Sequence, residues 1–356
     1  MRKLRNIALY AARALGGFRI AQHLTRDRLR ILCYHGFSVG DEYQVQPHMF
    51  IRGSTFERRM QILKKRRISV ISLGEAVRRL EAGEIRLGEA VITIDDGWAS
   101  TLTIGAPILE RYGFPAAIYV TTEHFSAGTE VFNVALRYMI RRSTRERFEL
   151  SGVHPHLDGI YDLRSDPDAL ASSLISAAER AFPVLADRQH TLPAIAAALA
   201  MDLGKVLQGE RFRLLTRDQI RELATRGFDI ELHTHRHRLP AETFQLMAAE
   251  VEANRAELEA VLGRRPSHFC FPSGQYSQDH SEWLKRLGIS SATTCDRGLN
   301  PPGSSVMLLK RYLDSDSEAD IAFEAELTGF SELARNTLSV LTLRRTRGIA
   351  VPAYRS

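Results

Sequence analysis

The 356-residue sequence contains little cysteine, and none of it is arranged in the patterns that stabilise small domains. Its cysteines, Cys33, Cys270 and Cys295, are odd in number, lie far apart and include no C-x-x-C pair. Such a set argues against both a disulfide framework and a zinc ribbon. We therefore expect a protein of a reducing compartment, with the cytoplasm as its location.

Long hydrophobic runs are also absent. No run of about 18 apolar residues occurs, which argues against a membrane-spanning helix. The apolar stretch Ile7–Ala12 follows basic residues as in a signal peptide, but Arg13 interrupts it before a hydrophobic core of ordinary length is complete. The sequence has neither a fixed-period repeat nor a low-complexity tract, so no repeat architecture is expected.

Excess positive charge is confined to the N-terminal leader. Met1–Arg30 contains eight basic residues against Asp27 alone, a net charge of +7, whereas the whole chain carries +6. The rest of the chain is therefore nearly neutral, which disfavours a uniformly basic protein, and we expect no nucleic-acid partner. Two interpretations of the leader stay open: peripheral contact of a basic helix with an anionic inner membrane, or a solvated or self-docked helix.

The order of helical and strand patterns predicts the fold class. Short runs rich in β-branched residues alternate with helical patterns, which is typical of a parallel sheet with helical crossovers. The alternation lapses between about 126 and 215, where three helical patterns predict a helical insertion. We therefore predict an α/β fold, a distorted (β/α) barrel of about seven strand–helix units with a helical insertion. The predicted strands are 29–34, 69–71, 91–94, 116–120, 228–232, 268–271, 289–293 and 307–312.

Three parts of the chain follow from this pattern. Residues 1–28 form a basic leader helix, residues 29–330 form the barrel domain with its insertion, and residues 331–356 form a basic C-terminal tail. The 44% hydrophobic and 25% charged composition is ordinary for a globular protein.

Two adjacent carboxylates, Asp95 and Asp96, end the predicted strand 91–94 and precede Gly97. Carboxylates this close repel one another unless a cation or a proton lies between them. The same three residues would also make an ordinary turn, so this motif alone does not decide between a site and a turn.

A cluster of three imidazoles follows the predicted strand 228–232, in the sequence His233-Thr234-His235-Arg236-His237. Neutral imidazole is a common metal ligand, although a polar surface loop would look the same. In a (β/α) barrel the residues that follow the strands meet at one end. A carboxylate and two imidazoles meeting there predict a metal site. Four such positions are His35, Asp95–Asp96, His233 and Pro272.

These motifs resemble those of the polysaccharide deacetylases that share the NodB homology domain, a family similar to carbohydrate esterase family 4. The family's T-F-D-D-G motif is similar to Thr93–Gly97, with Ile94 in place of Phe. Its H-[ST]-x-x-H motif resembles His233–His237, and its Pro-containing third motif resembles Phe271–Gly274. The resemblance covers most of Arg30–Asp314.

The resemblance implies a metal-dependent hydrolase that removes an N-acetyl or similar acyl group from an amino sugar, with zinc as the usual cation. Asp96, His233 and His237 would hold the cation, and Asp95 would be the general base for the attacking water. The backbone N–H of Ser273, after Pro272, would stabilise the oxyanion. The substrate would be a polysaccharide, a glycolipid or a lipid-linked glycan precursor.

Two features depart from the family pattern. Relatives with an arginine in the third motif use it to steady the base, and Arg311 is a candidate substitute here, with a surface arginine as the alternative. Ser273 stands where an aromatic residue often follows the third-motif proline. Sugar stacking is therefore expected from Trp98 or Tyr276.

His35 is expected to be the general acid. Amide cleavage requires a proton on the departing nitrogen, and an imidazole titrates in the right range. No histidine follows His280, and the Tyr34-His35 pair resembles the start of the domain in a permuted branch of the family. A histidine that only caps the strand is the alternative.

Other functions are compatible with the same motifs. Amino-sugar deformylation and O-deacetylation would use the same site. A catalytically inactive glycan-binding module is a third alternative, although a dead relative need not retain the base and all three ligands.

Overall fold

The computed structural model describes residues 2–86, 88–125, 130–240 and 242–337. The strands within these ranges are β1 (Arg30–Tyr34), β2 (Gly36–Ser38), β3 (Phe50–Arg52), β4 (Ala90–Ile94), β5 (Ala117–Val120), β6 (Arg147–Leu150), β7 (Gly159–Asp162), β8 (Asp229–Leu232), β9 (His268–Cys270), β10 (Ser291–Arg297) and β11 (Leu309–Leu313).

The α-helices are α1 (Arg2–Ala14), α2 (Gly17–Leu24), α3 (Glu42–Val45), α4 (Gly53–Lys65), α5 (Leu73–Glu81), α6 (Ala106–Tyr112), α7 (Phe132–Arg142), α8 (Pro167–Ala181), α9 (Leu185–Gln189), α10 (Leu192–Ala198), α11 (Leu203–Val206), α12 (Arg217–Thr225), α13 (Phe244–Leu262), α14 (Gln278–Arg286) and α15 (Asp320–Leu327). A π-helical turn covers Thr101–Gly105, and 3₁₀ turns cover Glu123–Phe125, Gln208–Glu210, Pro272–Gly274 and Val306–Leu308. Residues 330–337 are also helical.

Seven parallel strands close into a barrel in the order β1, β4, β5, β8, β9, β10, β11, with β11 returning to β1. Leu32 of β1 pairs with Ile92 of β4 on one side and with Tyr312 of β11 on the other. The seven barrel strands therefore follow one another around the barrel in the same order as along the chain. This confirms the predicted (β/α) barrel of about seven units.

Side chains alternate between the two sides of the barrel wall, as the period of two along a strand requires. Leu32, Ile92 and Ile230 belong to the large apolar cluster that joins the wall to the surrounding helices. Cys33, one position further along β1, instead contacts Asp95. The alternation thus directs a second set of residues towards the barrel axis, and the polar ones follow at the carboxyl ends of the strands.

Several elements differ from the sequence prediction, among them the parallel pair of β2 with β3, which was not predicted. Residues 69–71 do not form a strand, because only Val70 pairs, in a single bridge to Ala90. The insertion contains a β-hairpin, β6 with β7, that the helical patterns did not predict. In β6 exposed and buried residues alternate in the order Arg147, Phe148, Glu149, Leu150, which is the strand signature.

The insertion has a hydrophobic core of its own. Phe132, Leu136, Leu174 and Ile195 are buried together there, and Trp98 of the barrel rim joins the same cluster. The predicted helices appear as α7, α8 and the pair α10 and α11, while residues 126–129 lie outside the described part. The insertion therefore packs on the rim of the barrel.

The two helices of the leader differ in burial. No residue of α1 is buried, whereas Phe18 and Ala21 of α2 are buried, and Phe18 packs with Ile321 and Ala325 of α15. Among the described residues, no helix is long and apolar enough to cross a bilayer. Met1 and the tail residues 338–356 lie outside the described part of the chain.

Candidate metal centre

Three predicted ligands meet at one point of the barrel rim. Asp96 follows β4, and His233 and His237 follow β8. The Nε2 atoms of His233 and His237 lie 3.2 Å and 3.3 Å from Oδ1 of Asp96. One donor atom from each residue falls within 4.8 Å of the others. The arrangement leaves a carboxylate oxygen and two imidazole nitrogens facing the same small volume.

The backbone at these residues adopts unusual conformations. Asp96, Thr234, His237 and Ser273 all have positive φ angles, between 54° and 70°. Positive φ is rare and costly for residues other than glycine, and such residues concentrate at functional sites. Gly97 continues the turn at φ 82°, where an added Cβ would lie 3.0 Å from Val120. The Asp-Asp-Gly turn is thus held in a form that directs the two carboxylates to different partners.

Hydrogen bonds fix the orientation of His233. Its Nδ1 lies 2.9 Å from the backbone oxygen of Cys270, which only accepts, so Nδ1–H is the donor. This leaves Nε2 directed at Asp96. Burial would lower the pKa of His233, but Asp96, Asp95 and the Cys270 carbonyl together outweigh burial and raise it. Burial conversely favours a protonated Asp96, yet the two imidazoles hold the pKa of this carboxyl well below its usual range.

The second carboxylate of the motif is bound by an arginine. Nη1 and Nη2 of Arg311 donate to the two oxygens of Asp95 at 2.7 Å and 2.8 Å. Both side chains are almost fully buried. Burial alone would raise the pKa of Asp95, but the paired guanidinium lowers it to about 2. Asp95 is therefore ionised at neutral pH, and Arg311 is no surface residue.

Two thiols complete the surroundings of Asp95. Cys33 and Cys270 donate to its Oδ2 at 3.5 Å and 3.4 Å. Burial raises the pKa of both thiols well above the ordinary value, so they stay protonated. A metal cation bound to Asp95 would be repelled by the positive charge of Arg311. Within the described part of the chain, three residue groups are close enough to hold a cation, and the Asp96 group is therefore the best suited of them.

His35 lies beside the same carboxylate. Its Nε2 is 3.9 Å from Oδ2 of Asp95, beyond direct hydrogen-bond range, and the side chain is partly exposed. The residue follows the last position of β1, so it shares the rim with the three candidate ligands.

The remaining predicted residues are less uniformly placed. Trp98 is only 3% exposed, packs against Phe50 and donates from Nε1 to Oδ2 of Asp96 at 2.9 Å. The indole therefore orients a candidate ligand and also lines the cavity beside it, and sugar stacking on this ring stays a prediction. Tyr276 is partly exposed, with its hydroxyl bound to Asp296. Ser273, after Pro272, occupies the 3₁₀ turn that follows β9.

A cavity of about 510 Å³ opens beside the candidate ligands. The barrel rim and the insertion both line it. Its walls include Asp96, His235 and His237 from the rim, and Phe132, Glu179 and Arg188 from the insertion. The volume is in the range of pockets that bind small molecules.

An ion pair connects the insertion with the histidine loop. Glu179 of α8 accepts from Arg238, the residue after His237, at 2.9 Å. Arg238 is largely exposed, so the pair adds little to stability. The ion pair instead links the insertion to the histidine loop at the wall of the cavity, next to the candidate ligand His237.

Sequence reasoning missed Asn254, a fully buried residue of α13. Its Oδ1 accepts from the backbone N–H of His233 at 2.9 Å, and its Nδ2 donates to Thr122 and to the backbone of Val120. The available signal was a lone amide on the buried face of α13, four residues before Leu258. A polar side chain in such a position needs a partner, which here is the histidine loop.

Comparisons with known proteins agree with the motifs. The polysaccharide deacetylase family model matches residues 177–292. This range contains His233–His237 and Phe271–Gly274, while Asp95–Asp96 lies upstream of it. No curated protein matches the chain. The family match confirms the resemblance predicted from the sequence.

Solved deacetylase structures have a similar fold. PplD of Streptococcus pyogenes, solved in complex with acetate, has 16% sequence identity and a TM-score of 0.55 over 82% of this chain and 95% of its own. IcaB of Ammonifex degensii has 18% identity and a TM-score of 0.53 over 85% and 97%. BC0361, a polysaccharide deacetylase of Bacillus cereus, has 14% and 0.51 over 85% and 69%. At these identities the likeness concerns the fold.

Proposed function

Because residues 177–292 match the polysaccharide deacetylase family, we propose that the protein is a metal-dependent hydrolase that removes an acetyl or related acyl group from an amino sugar of a glycan. The main support is that Asp96 lies close to the imidazoles of His233 and His237. Directly beside them is a second carboxylate, Asp95, which is paired with Arg311. That combination provides a cation site and a separate proton acceptor. The acetate bound to the streptococcal deacetylase supports acetyl as the acyl group.

Asp96, His233 and His237 fit a catalytic zinc site. Two imidazole nitrogens and one carboxylate oxygen within 4.8 Å of one another match the two-histidine, one-carboxylate donor set. Three protein ligands leave a position open to water and substrate. A divalent cation held there would make water more acidic and polarise the acyl carbonyl.

Asp95 is assigned the role of general base. It is ionised at neutral pH, and Arg311 on both oxygens fixes its orientation. A carboxylate of such low pKa is a weak base, so it removes a proton only from water that is already strongly acidified. Arg311 therefore acts as a positioning residue.

His35 is assigned the role of general acid. Its imidazole lies on the Asp95 side of the site, with Nε2 3.9 Å from Oδ2. From there it can protonate the sugar nitrogen as the bond to the acyl carbon breaks, since an amide anion is too basic to leave. The Ser273 N–H, in a turn with φ 55° at that residue, is assigned to the acyl oxygen.

The reducing compartment also stays a proposal. All three cysteines are free, and Cys33 and Cys270 are buried beside the proposed base. Fractionation of the producing cells with a cytoplasmic marker tests this location.

Acyl release from defined sugars tests the function. Purified protein loaded with Zn²⁺ should release acetate from N-acetylated amino-sugar oligosaccharides and lose this activity with a chelator. Matched substrates separate the alternatives: formate release from an N-formyl amide would identify a deformylase, and acetate release from an O-acetyl ester but not from the N-acetyl amide would identify an O-deacetylase. A protein that binds the cation and these glycans but releases no acid from any of them would instead be a glycan-binding module.

A further inference from the structure

The first 24 residues expose an unusual share of apolar surface. Of the eleven large hydrophobic residues that are exposed in the described part of the chain, six lie in this short segment. Isolated exposed hydrophobic residues are normal, but a concentration of them marks an interaction surface. The six are Leu4, Ile7, Tyr10, Leu15, Ile20 and Leu24.

Helix α1 is oriented opposite to an ordinary surface helix. Two of its four charged residues reach towards the protein, where Arg5 binds Glu318 at 2.8 Å and Arg13 binds Glu324 at 3.1 Å. Its apolar stripe faces away. Helices on globular proteins normally bury the apolar stripe and expose the charges.

The apolar stripe follows helical spacing. Leu4, Ile7 and Ala11 of α1 recur every three or four residues, and Leu15, bonded to Ala11 directly after the helix ends, continues the same face. Ile7 is 64% exposed and Leu15 is 85% exposed. The side chains that approach the body, Leu9 among them, lie on the other face.

Free positive charge surrounds these apolar side chains. No acidic residue occurs in the first 26 positions. Three exposed cations of this segment form no ion pair with any described residue, namely Arg2, Lys3 and Arg19, and the same holds for Arg26 just after it. A surface that combines exposed apolar side chains with unpaired cations is complementary to an anionic lipid bilayer, which offers negative headgroups above an apolar interior.

We propose that the outward side of α1 and α2, here called the N-terminal face, docks onto an anionic lipid bilayer. Leu4, Ile7, Leu15 and Ile20 would enter the boundary between headgroups and acyl chains, and the unpaired cations would bind the headgroups. The proposal concerns a binding surface and does not depend on the proposed hydrolase activity.

The position of α1 relates this face to the barrel. Arg5 binds Glu318, which follows Asp314 at the carboxyl end of β11, whereas Arg13 binds Glu324, further along α15. Helix α1 therefore begins near the end of the barrel that carries the candidate metal centre and runs along its side. Docking would hold this side of the barrel against the bilayer surface.

Vesicle flotation of the full-length protein tests the proposal. The test variant is Ile7→Glu with Leu15→Glu, and the matched control is Ile160→Glu with Leu246→Glu, which places the same charges at exposed apolar positions elsewhere. Because none of the four side chains is buried, all proteins should fold, and thermal melting verifies this.

The parent should bind vesicles of phosphatidylcholine with phosphatidylglycerol and bind phosphatidylcholine alone much less. The test variant should bind the anionic vesicles at least about tenfold more weakly, and the control should stay within about twofold of the parent. Equal binding by parent and test variant, or no binding by the parent, would overturn the proposal. So would a dimer in light scattering that Ile7→Glu with Leu15→Glu dissociates without any vesicle binding, because a second copy would then occupy this face.

Discussion

The two ends of the barrel both contain buried charged side chains, but only one of them has a geometry suited to chemistry. At the amino end, Glu231 accepts from the backbone N–H groups of Ser267 and His268 at 2.9 Å and 2.8 Å, and from Arg264 at 3.0 Å. Each of its oxygens thus faces a donor. Burial raises the pKa of this carboxyl. The three hydrogen bonds satisfy the buried side chain, so a structural role is enough to explain it.

At the carboxyl end, Asp96 instead faces two imidazole nitrogens that share its Oδ1. Two imidazoles are more than one carboxylate oxygen needs as hydrogen-bond partners. An oxygen and two imidazole nitrogens are, however, a suitable ligand set for one cation. The difference shows that buried charge alone does not identify a site. What distinguishes the site is a set of atoms that could ligate a metal, lie close together and do not fully satisfy one another by hydrogen bonds.

The largest expected effect comes from Asp95→Asn. Turnover of an amide substrate by the metal-loaded enzyme should fall about a thousandfold or more, because the proton acceptor is lost. The matched substitution at the other end, Glu231→Gln, should lower stability and leave turnover within a few-fold. Steady-state kinetics on both variants measures this. If Asp95→Asn turned over the amide as fast as the parent, the carboxyl end would not differ from the amino end in its role in turnover.

Next, His35→Ala should reduce amide turnover by about a hundredfold. An activated ester should suffer less, since its leaving group needs little protonation. His268→Ala, a histidine replaced at the amino end, is the control and should keep amide turnover. If amide and ester were affected equally, His35 would not be the proton donor, and His235 would be tested next.

His268 should make the amino end sensitive to acid. Burial lowers the pKa of His268 from 6.5 to about 4. Below pH 6.5 the unfolded chain therefore binds a proton that the folded chain does not, so stability falls as pH drops from 6.5 towards 4. The loss should be on the order of 2 kcal/mol, allowing for partial exposure. Urea unfolding across this range should show the slope, and His268→Asn should flatten it; an unchanged slope would assign the acid sensitivity elsewhere.

The smallest effect is expected for Trp98→Phe. Loss of the Nε1–H donor to Asp96 should weaken metal binding by about tenfold while the aromatic packing is retained. Trp283→Phe, which alters the only other tryptophan, is the matched control. Titration with Zn²⁺ in a competing chelator measures both. Equal affinities would show that the indole contributes packing only.

Much of this organisation was predictable because it depends on local periodicity. The strand ends placed Asp95, Asp96 and His233 at one rim, whereas Arg311 was predicted only as a candidate partner of the base, with a surface arginine as the alternative. The burial of Trp98 could not be predicted because it depends on the insertion, a contact between segments distant in sequence. Asn254 was missed for the same reason, since its partners His233 and Thr122 come from other elements. The grouping of Asp96 with His233 and His237 also depends on tertiary packing, and before the structure only the family resemblance implied it.

Metal content tests the central claim most directly, namely that adjacent carboxylates have separate tasks. The parent, Asp95→Asn and Asp96→Ala would be purified, loaded with Zn²⁺, desalted and measured by plasma mass spectrometry. The account predicts about one cation per chain in the parent and in Asp95→Asn, and almost none in Asp96→Ala, because only Asp96 belongs to the ligand set. A metal-free Asp95→Asn, or an Asp96→Ala that keeps its cation, would contradict it.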